Sequence, residues 1–109
     1  FIDRYVFPDG ELTGVGRIIM AMQDAGLEVR HEENLREHYA LTLKNWCENL
    51  EANWDEALGE VTLGRAKVWG LYMAGSRLAF ERHEIELHHV LGVKVGPDGD
   101  AHYPLRVDF

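Results

Sequence analysis

The sequence predicts an α/β fold in which about three helices accompany two short antiparallel strands. Apolar residues recur with the 3.6-residue helical period in three separate stretches of the chain. Residues 27–30 and 85–95 instead alternate apolar and polar side chains, which is the period of a half-buried strand. A two-stranded sheet is only marginally stable alone, so we expect further strands to precede Phe1.

The first predicted helix follows a turn at residues 8–10. Thr13 is a suitable N-cap, and Gly26 stands where a left-handed C-cap is favoured. The apolar residues that share one helical face are Val15, Ile18, Ile19, Met22 and Ala25. Leu27 to Arg30 then alternate as the first strand, so this part of the chain forms an α/β unit.

The second predicted helix starts at a capping box formed by Asn34 and Glu37. Its apolar stripe consists of Tyr39, Leu43, Trp46, Leu50 and Trp54. We expect Asn53 and Gly59 to interrupt this stripe. Gly64 precedes the third helix, one side of which carries Val68, Tyr72, Gly75, Ser76, Ala79 and Phe80.

The second predicted strand, residues 85–95, has the longest alternation in the chain. One face carries Ile85, Leu87, His89, Leu91, Val93 and Val95. We expect His89 to be half-buried there, and the strand to pair antiparallel with residues 27–30 or with a strand outside the chain. Residues 97–100 form a turn, and residues 96–109 as a whole are predicted to be a frayed tail.

Length and charge limit what the chain can do. Its 109 residues suit one globular domain, and because it opens on Phe1 without a signal peptide we expect it to be a piece of a longer protein. The formal net charge is −8 with no cluster of Lys and Arg, which argues against nucleic acid and anionic lipid as direct partners. The single cysteine, Cys47, forbids an internal disulfide and predicts a cytoplasmic location.

Three blocks of sequence carry a resemblance to a known family. The first is Phe1-Ile2-x-x-Tyr5-x-Phe7-Pro8-x-Gly10-x-Leu12; the second is His38-Tyr39-Ala40-x-Thr42-Leu43-x-x-Trp46, followed by Asn53 and Trp54; the third runs from Tyr72-Met73-Ala74-Gly75 through Phe80 to Ile85-x-Leu87. In this order and spacing, residues 1–95 resemble the cyclopropane-fatty-acyl-phospholipid synthases, including the mycolic acid cyclopropane synthases. Thr13-Gly14 departs from the Pro-Ser that the family commonly carries.

The resemblance implies an enzyme dependent on S-adenosylmethionine, with this chain as the C-terminal portion of a Rossmann-like class I methyltransferase fold. Such enzymes deliver a methyl group to the cis double bond of an unsaturated phospholipid acyl chain, and loss of a proton from the resulting cation closes a cyclopropane. Relatives make methylene or methyl-branched products. We expect any peripheral membrane contact to come from the part outside this chain.

Two alternatives remain at this point. One is a small-molecule N-methyltransferase of the same superfamily, because a plant branch methylates alkaloid nitrogens. The other is a non-catalytic, acidic helical interaction domain whose core contains Trp46, Trp54 and Trp69.

The resemblance places the cofactor site outside the chain. The glycine-rich turn that grips S-adenosylmethionine should follow a strand, and Gly14-x-Gly16 has neither a preceding strand nor the third glycine. We therefore expect the isolated chain to be inactive and not to bind the cofactor. Tyr39 matches the tyrosine of the family's bicarbonate site, where it would donate a hydrogen bond as a neutral phenol. Without the resemblance, its position in an apolar stripe would favour a core role.

A second set of residues matches the family's lipid pocket. Its members are Phe7, Leu12, Leu43, Tyr72, Ser76 and Phe80. The last three follow one line along a helix, and an acyl chain requires a long apolar slot. Ordinary core packing is the alternative interpretation of such a stripe.

No metal site is predicted. Histidines and acidic residues are dense between His83 and His89, but His88 and His89 are neighbours on a predicted strand and point to opposite faces. They cannot converge on one ion as zinc ligation requires. Cys47 lies beside the apolar stripe and is interpreted as a small core residue.

Overall fold

The computed structural model describes residues 12–109. Its elements, in chain order, are α1 (Val15–Asp24), β1 (Glu28–Asn34), α2 (Arg36–Ala52), α3 (Trp54–Glu60), α4 (Leu63–Glu81) and β2 (His88–Val93). The strands form a two-stranded antiparallel sheet, so the predicted α/β class is confirmed. A fourth helix arises within this range because the second predicted helix breaks at Asn53, whose backbone N–H and side-chain amide both donate to the Asn49 carbonyl.

The described residues divide into two compact units. Asn34–Leu87 form one, here called the helical unit; Leu12–Glu33 and His88–Phe109 form the other, here called the sheet unit. No helix in residues 12–109 is long and apolar enough to cross a membrane.

The helical unit is organised by the packing of α2 against α4. The buried residues are Ala40, Leu43, Ala66, Met73 and Phe80, and Leu43 is completely inaccessible to solvent. The ring of Tyr39 near the start of α2 meets Phe80 at the end of α4, while Leu50 meets Gly70 nearer the start of α4. The two helices are therefore antiparallel, and burial of their apolar stripes supplies the main stabilisation of the unit.

The beginnings of the helices differ in detail from the predicted caps. Leu35, not Asn34, is the N-cap of α2; the Asn34 side-chain oxygen accepts from the Arg36 N–H, and Glu37 pairs with the Arg36 guanidinium. The predicted capping box is therefore wrong. The N-cap of α4 is Thr62, whose hydroxyl accepts a hydrogen bond from the Arg65 N–H. Gly64 therefore lies inside the first turn of α4 instead of preceding the helix.

In the sheet unit, the C-terminal end of α1 follows the prediction and its start does not. Gly14 is the N-cap of α1 without a side-chain hydrogen bond, so the predicted Thr13 cap is wrong. Gly26 has a φ of +91°, and the Leu27 N–H donates to the Met22 carbonyl at 3.0 Å across it. This is the left-handed glycine cap that the sequence predicts.

The strand β2 is shorter than predicted and faces the opposite way. It pairs with β1, which confirms the predicted partner, but it begins at His88 because Ile85 and Leu87 pack against the core of the helical unit. His89 is exposed, whereas Gly92 lies so close to α1 that an added Cβ would fall 2.5 Å from the Met22 methyl. In the helical unit the more buried positions of this segment are the odd-numbered Ile85 and Leu87, whereas from His88 to Gly92 they are the even-numbered ones. The prediction that all the odd-numbered residues lie on one buried face is therefore wrong.

The C-terminal residues contact β1 instead of fraying. A turn is closed by the Gly96 N–H donating to the Asp100 carbonyl. Farther along, the Tyr103 ring lies 4.8 Å from the Arg30 guanidinium, and the ring of Phe109 meets His31 edge-on at 5.1 Å. The prediction of a frayed tail is therefore wrong for these two positions.

Candidate functional site

The candidate site is centred on Tyr39, in the first turns of α2. Its ring packs edge-to-face against Phe80 at 4.9 Å between centroids, and against Trp46 at 5.9 Å. Such T-shaped contacts stabilise a ring in one orientation beyond what burial of its area provides. Tyr39 is thus half-buried in an aromatic environment.

The environment of Tyr39 further favours the protonated form of its phenol. Burial raises the pKa of Tyr39, and the electrostatic effect of Tyr72 raises this pKa further. Both effects disfavour the phenolate, so the hydroxyl remains a hydrogen-bond donor at and well above neutral pH. This is the protonation state that binding of an anion requires.

The structure brings most of the predicted lipid-pocket residues together. Leu43 and Phe80 are buried in the core between α2 and α4, and Tyr72 packs against that core with its ring 5.5 Å from the ring of Trp69. Ser76 is half-buried on α4, one turn from both Tyr72 and Phe80. Leu43 and Phe80 therefore contribute to helix packing as well as surrounding Tyr39.

Two predicted pocket residues are not part of this cluster in the described structure. Leu12 is 82% exposed and belongs to the sheet unit. Phe7 lies outside the described residues.

A groove farther along the same helix pair was not identified from the sequence. It has a volume of about 500 Å³ and is lined by Cys47, Leu50, Glu51, Trp54, Gly70 and Ala74. The size falls within the range of small-molecule sites. The signal in the sequence is the pair of small residues on α4 opposite the large residues of the α2 stripe, which leaves space that neither helix fills. Cys47 is half-buried against the core, as predicted.

A polar cavity of about 370 Å³ lies at the other end of the helix pair. It is lined by Asn34, Arg36, Glu37, His38 and His83. Arg36 is the functional candidate that the sequence does not reveal, because its partners are main-chain carbonyls of α4, more than forty residues away. In the sequence, the only sign of such a role is that Arg36 precedes Tyr39 by about one helical turn.

Two of the six histidines form separate pairs with glutamates. His83 Nε2 lies 2.5 Å from the Glu86 carboxylate in the helical unit, and His88 Nδ1 contacts Glu32 in the sheet unit. Within residues 12–109, no three His, Cys, Asp or Glu side chains are placed to hold one metal ion.

Within residues 12–109, the one helix that directly follows a strand is α2, which β1 enters through Leu35 without a glycine-rich turn. Gly14 is the N-cap of α1, and Gly16 lies in its first turn. A grip on the cofactor needs a strand, a tight turn and a helix in succession. The Tyr39 hydroxyl is a suitable hydrogen-bond donor to a bicarbonate ion.

Comparisons with known proteins identify the family. The family model described as mycolic acid cyclopropane synthetase matches residues 1–90. A probable fatty acid methyltransferase of Mycobacterium tuberculosis is 65% identical over 106 residues, which cover 97% of this chain and 25% of that protein. A probable fatty acid methyltransferase of Pseudomonas putida is 48% identical over 105 residues, covering 96% of this chain and 26% of the relative.

A third relative is an S-adenosylmethionine-dependent methyltransferase of Mycobacterium tuberculosis. It is 37% identical over 73 residues, which cover 67% of this chain and 24% of that protein. The chain thus spans about a quarter of the length of these relatives.

Proposed function

Because the chain belongs to the mycolic acid cyclopropane synthetase family, we propose that it is the C-terminal part of an S-adenosylmethionine-dependent methyltransferase acting on lipid acyl chains. The substrate we propose is the cis double bond of an unsaturated fatty acyl chain in a phospholipid. Residues 1–109 would form part of one methyltransferase domain, with 96–109 as its tail. The names of the relatives support methyl transfer to fatty acids, and the description of the family supports closure of a cyclopropane.

This proposal rests on the environment of the Tyr39 side chain. A protonated phenol is held by aromatic contacts at the end of an apolar helix pair, beside Phe80. An enzyme that adds a methyl group to an alkene must accommodate an apolar chain and a transient positive charge. Aromatic faces stabilise a nearby cation, and a phenol that donates to an anion keeps the counter-charge in place.

In the proposed mechanism this chain supplies binding and orientation. S-adenosylmethionine, when bound, supplies the methyl group, and its site would be formed outside the described residues. Tyr39 would donate a hydrogen bond to bicarbonate, the base by resemblance, and so orient it towards the proton that is lost. Tyr72, Ser76 and Phe80 would line the acyl chain and exclude water, with Leu43 packed behind them in the core of the helical unit.

Location and partners are proposals of the same kind. The single cysteine supports a cytoplasmic enzyme. The net charge of −8 supports membrane contact through another part of the protein, where the lipid substrate would be reached.

The test is product analysis with the full-length protein that contains this chain. We expect its expression in a bacterium rich in unsaturated phospholipids to yield acyl chains carrying one added carbon, detected by mass spectrometry of the released fatty acids. Feeding methionine with a deuterated methyl group would show whether that carbon comes from S-adenosylmethionine. A saturated methyl branch contains two more hydrogens than a cyclopropane, so the mass of the product separates the two. Unaltered acyl chains, with cells lacking the gene as the control, would refute the proposal.

A second measurement concerns the isolated chain. Calorimetric titration of residues 1–109 with S-adenosylmethionine should give no binding heat, because in residues 12–109 no glycine-rich turn joins a strand to a following helix. Binding in the micromolar range would place a cofactor site within the chain and contradict the proposal that this site lies outside it.

A further inference from the structure

Arg36 joins the start of α2 to the end of α4. Its Nη1 donates to the Phe80 carbonyl at 2.7 Å and to the Glu81 carbonyl at 3.3 Å. The last carbonyls of a helix have no partner within it, and the negative end of the helix dipole attracts a cation. The Arg36 side chain is only 22% exposed, so these charge-assisted bonds are partly shielded from water.

The same residue, Phe80, is held at two points from α2. Its carbonyl accepts from Arg36, and its ring contacts Tyr39 at 4.9 Å. Arg36 and Tyr39 are three residues apart, which places them on neighbouring positions of one helical face. The guanidinium therefore fixes the backbone whose side chain orients the Tyr39 ring.

Arg36 is itself held in place. Its N–H donates to the Asn34 side-chain oxygen at 2.9 Å, and the Asn34 amide donates to Glu86 at 3.2 Å. The Leu35 N–H donates to the Leu87 carbonyl at 2.8 Å. The segment entering α2 is thus tied to the segment leaving α4, at the end of the helix pair where Tyr39 lies.

We propose that Arg36 is a positioning residue, which holds the Phe80 backbone against α2 and thereby fixes the direction of the Tyr39 hydroxyl. The inference rests on the proposed function, in which that hydroxyl contacts the reacting anion. Arginine is suited to this role because its planar fork reaches two successive carbonyls and the Glu37 carboxylate together. A lysine keeps the charge but loses this geometry.

The kinetic test uses the full-length enzyme with Arg36→Met and Arg36→Lys. Arg77→Met is the matched control, because Arg77 forms an exposed pair with Glu81 on α4 and does not hold Phe80. We expect Arg36→Met to lower kcat about tenfold to a hundredfold, as misplacement of a catalytic group does, with KM changing less than about threefold. Arg36→Lys should fall between this variant and the wild type, and Arg77→Met should match the wild type. An unchanged kcat in Arg36→Met would overturn the inference.

A double variant shows whether Arg36 acts through Tyr39. In the Tyr39→Phe background there is no hydroxyl left to orient, so adding Arg36→Met should cause no further loss of kcat. Losses that multiply in the double variant would mean that Arg36 acts independently of the Tyr39 hydroxyl, and would overturn the positioning role.

A spectroscopic readout separates this inference from the proposed function. With ring-labelled tyrosine in the full-length protein, the Tyr39 resonance is assigned by its loss in Tyr39→Phe. Below the melting temperature we expect Arg36→Met, or Arg36→Lys if the Met variant does not fold, to move this resonance as the Phe80 ring shifts; Arg77→Met should not. An unmoved resonance would overturn the positioning role, whereas wild-type protein that leaves acyl chains unaltered would overturn the proposed function.

Discussion

The helical unit and the sheet unit are stabilised in different ways. Every buried residue in the described part of the chain lies between Asn34 and Leu87, where α2 and α4 pack against each other. The sheet unit has none, and its contacts involve partly exposed residues: Gly92 closely approaches Met22, and Tyr103 packs on Arg30. The candidate residue Tyr39 therefore lies in the unit where packing leaves side chains least freedom. A site that must hold a reacting group in one geometry is best built there.

The largest expected effect contrasts the same truncation in the two units. Leu43→Ala removes a completely buried side chain and should lower the free energy of unfolding of the helical unit by about 2–5 kcal/mol. Leu91→Ala removes a side chain that is 39% exposed, and should cost less than about 1 kcal/mol. Amide hydrogen exchange of α2 and of β2 in the full-length protein measures each unit separately. Equal losses would show that the sheet unit has a core of its own.

A smaller effect, this time on catalysis, concerns Tyr39→Phe in the full-length enzyme. One lost hydrogen bond to an anion is worth about 1.5–3 kcal/mol, so kcat should fall roughly tenfold to 150-fold at saturating substrates. The thermal melt should barely change, because the ring keeps its contacts with Phe80 and Trp46.

The control is Tyr103→Phe in the sheet unit. Its buried hydroxyl has no hydrogen-bond partner within residues 12–109, so we expect neither activity nor stability to fall. Wild-type activity in Tyr39→Phe would instead make Tyr39 a core residue alone, which is the alternative that its apolar stripe suggests.

The two units also differ in how well their sequence predicts them. On α2 the predicted stripe identifies the buried face in part: Leu43 is buried and Leu50 packs against the core, but Trp46 is 44% exposed and Trp54 lies in α3. Residues 85–93 also alternate regularly, yet Ile85 and Leu87 serve the helical core while Gly92 faces α1. A period of two shows that alternate residues differ in environment. It does not show at which residue the strand stops packing against the helical core and starts packing against α1. The sequence therefore predicts neither the start nor the buried face of β2 correctly.

The candidate site was predictable only in part for a related reason. Tyr39 stands out because it belongs to a recognisable block beside apolar residues. Arg36 does not, because its partners are the carbonyls of Phe80 and Glu81, and backbone acceptors leave no trace in a sequence. Only the antiparallel packing of α2 on α4 brings those carbonyls within reach.

Two glycine-to-alanine substitutions should change the stability of the two units in opposite directions. Gly92→Ala would place a Cβ 2.5 Å from the Met22 methyl and 3.4 Å from the Leu27 Cβ. The methyl can move away but the Leu27 Cβ yields less readily, so we expect the sheet unit to lose about 1 kcal/mol. Gly75→Ala on α4 meets no atom within 4 Å and should stabilise the helical unit by about 0.5–1 kcal/mol. Hydrogen exchange in each unit tests both signs, and a stabilised Gly92→Ala would mean that α1 is not packed on β2.

The smallest expected effect is a dependence of stability on alkaline pH that only the helical unit should show through Tyr39. Burial, followed by the electrostatic effect of Tyr72, raises the pKa of Tyr39 above its usual value near 10. Above that pH the unfolded chain releases the Tyr39 proton while the folded chain keeps it. The stabilising contribution is therefore complete below about pH 10 and is lost as pH rises through the folded pKa. Hydrogen exchange of α2, measured between neutral pH and pH 11, should show a steeper alkaline loss in the wild type than in Tyr39→Phe. Identical slopes in both proteins would mean that the Tyr39 phenol is as well solvated in the folded chain as in the unfolded one, so that its aromatic enclosure does not raise its pKa.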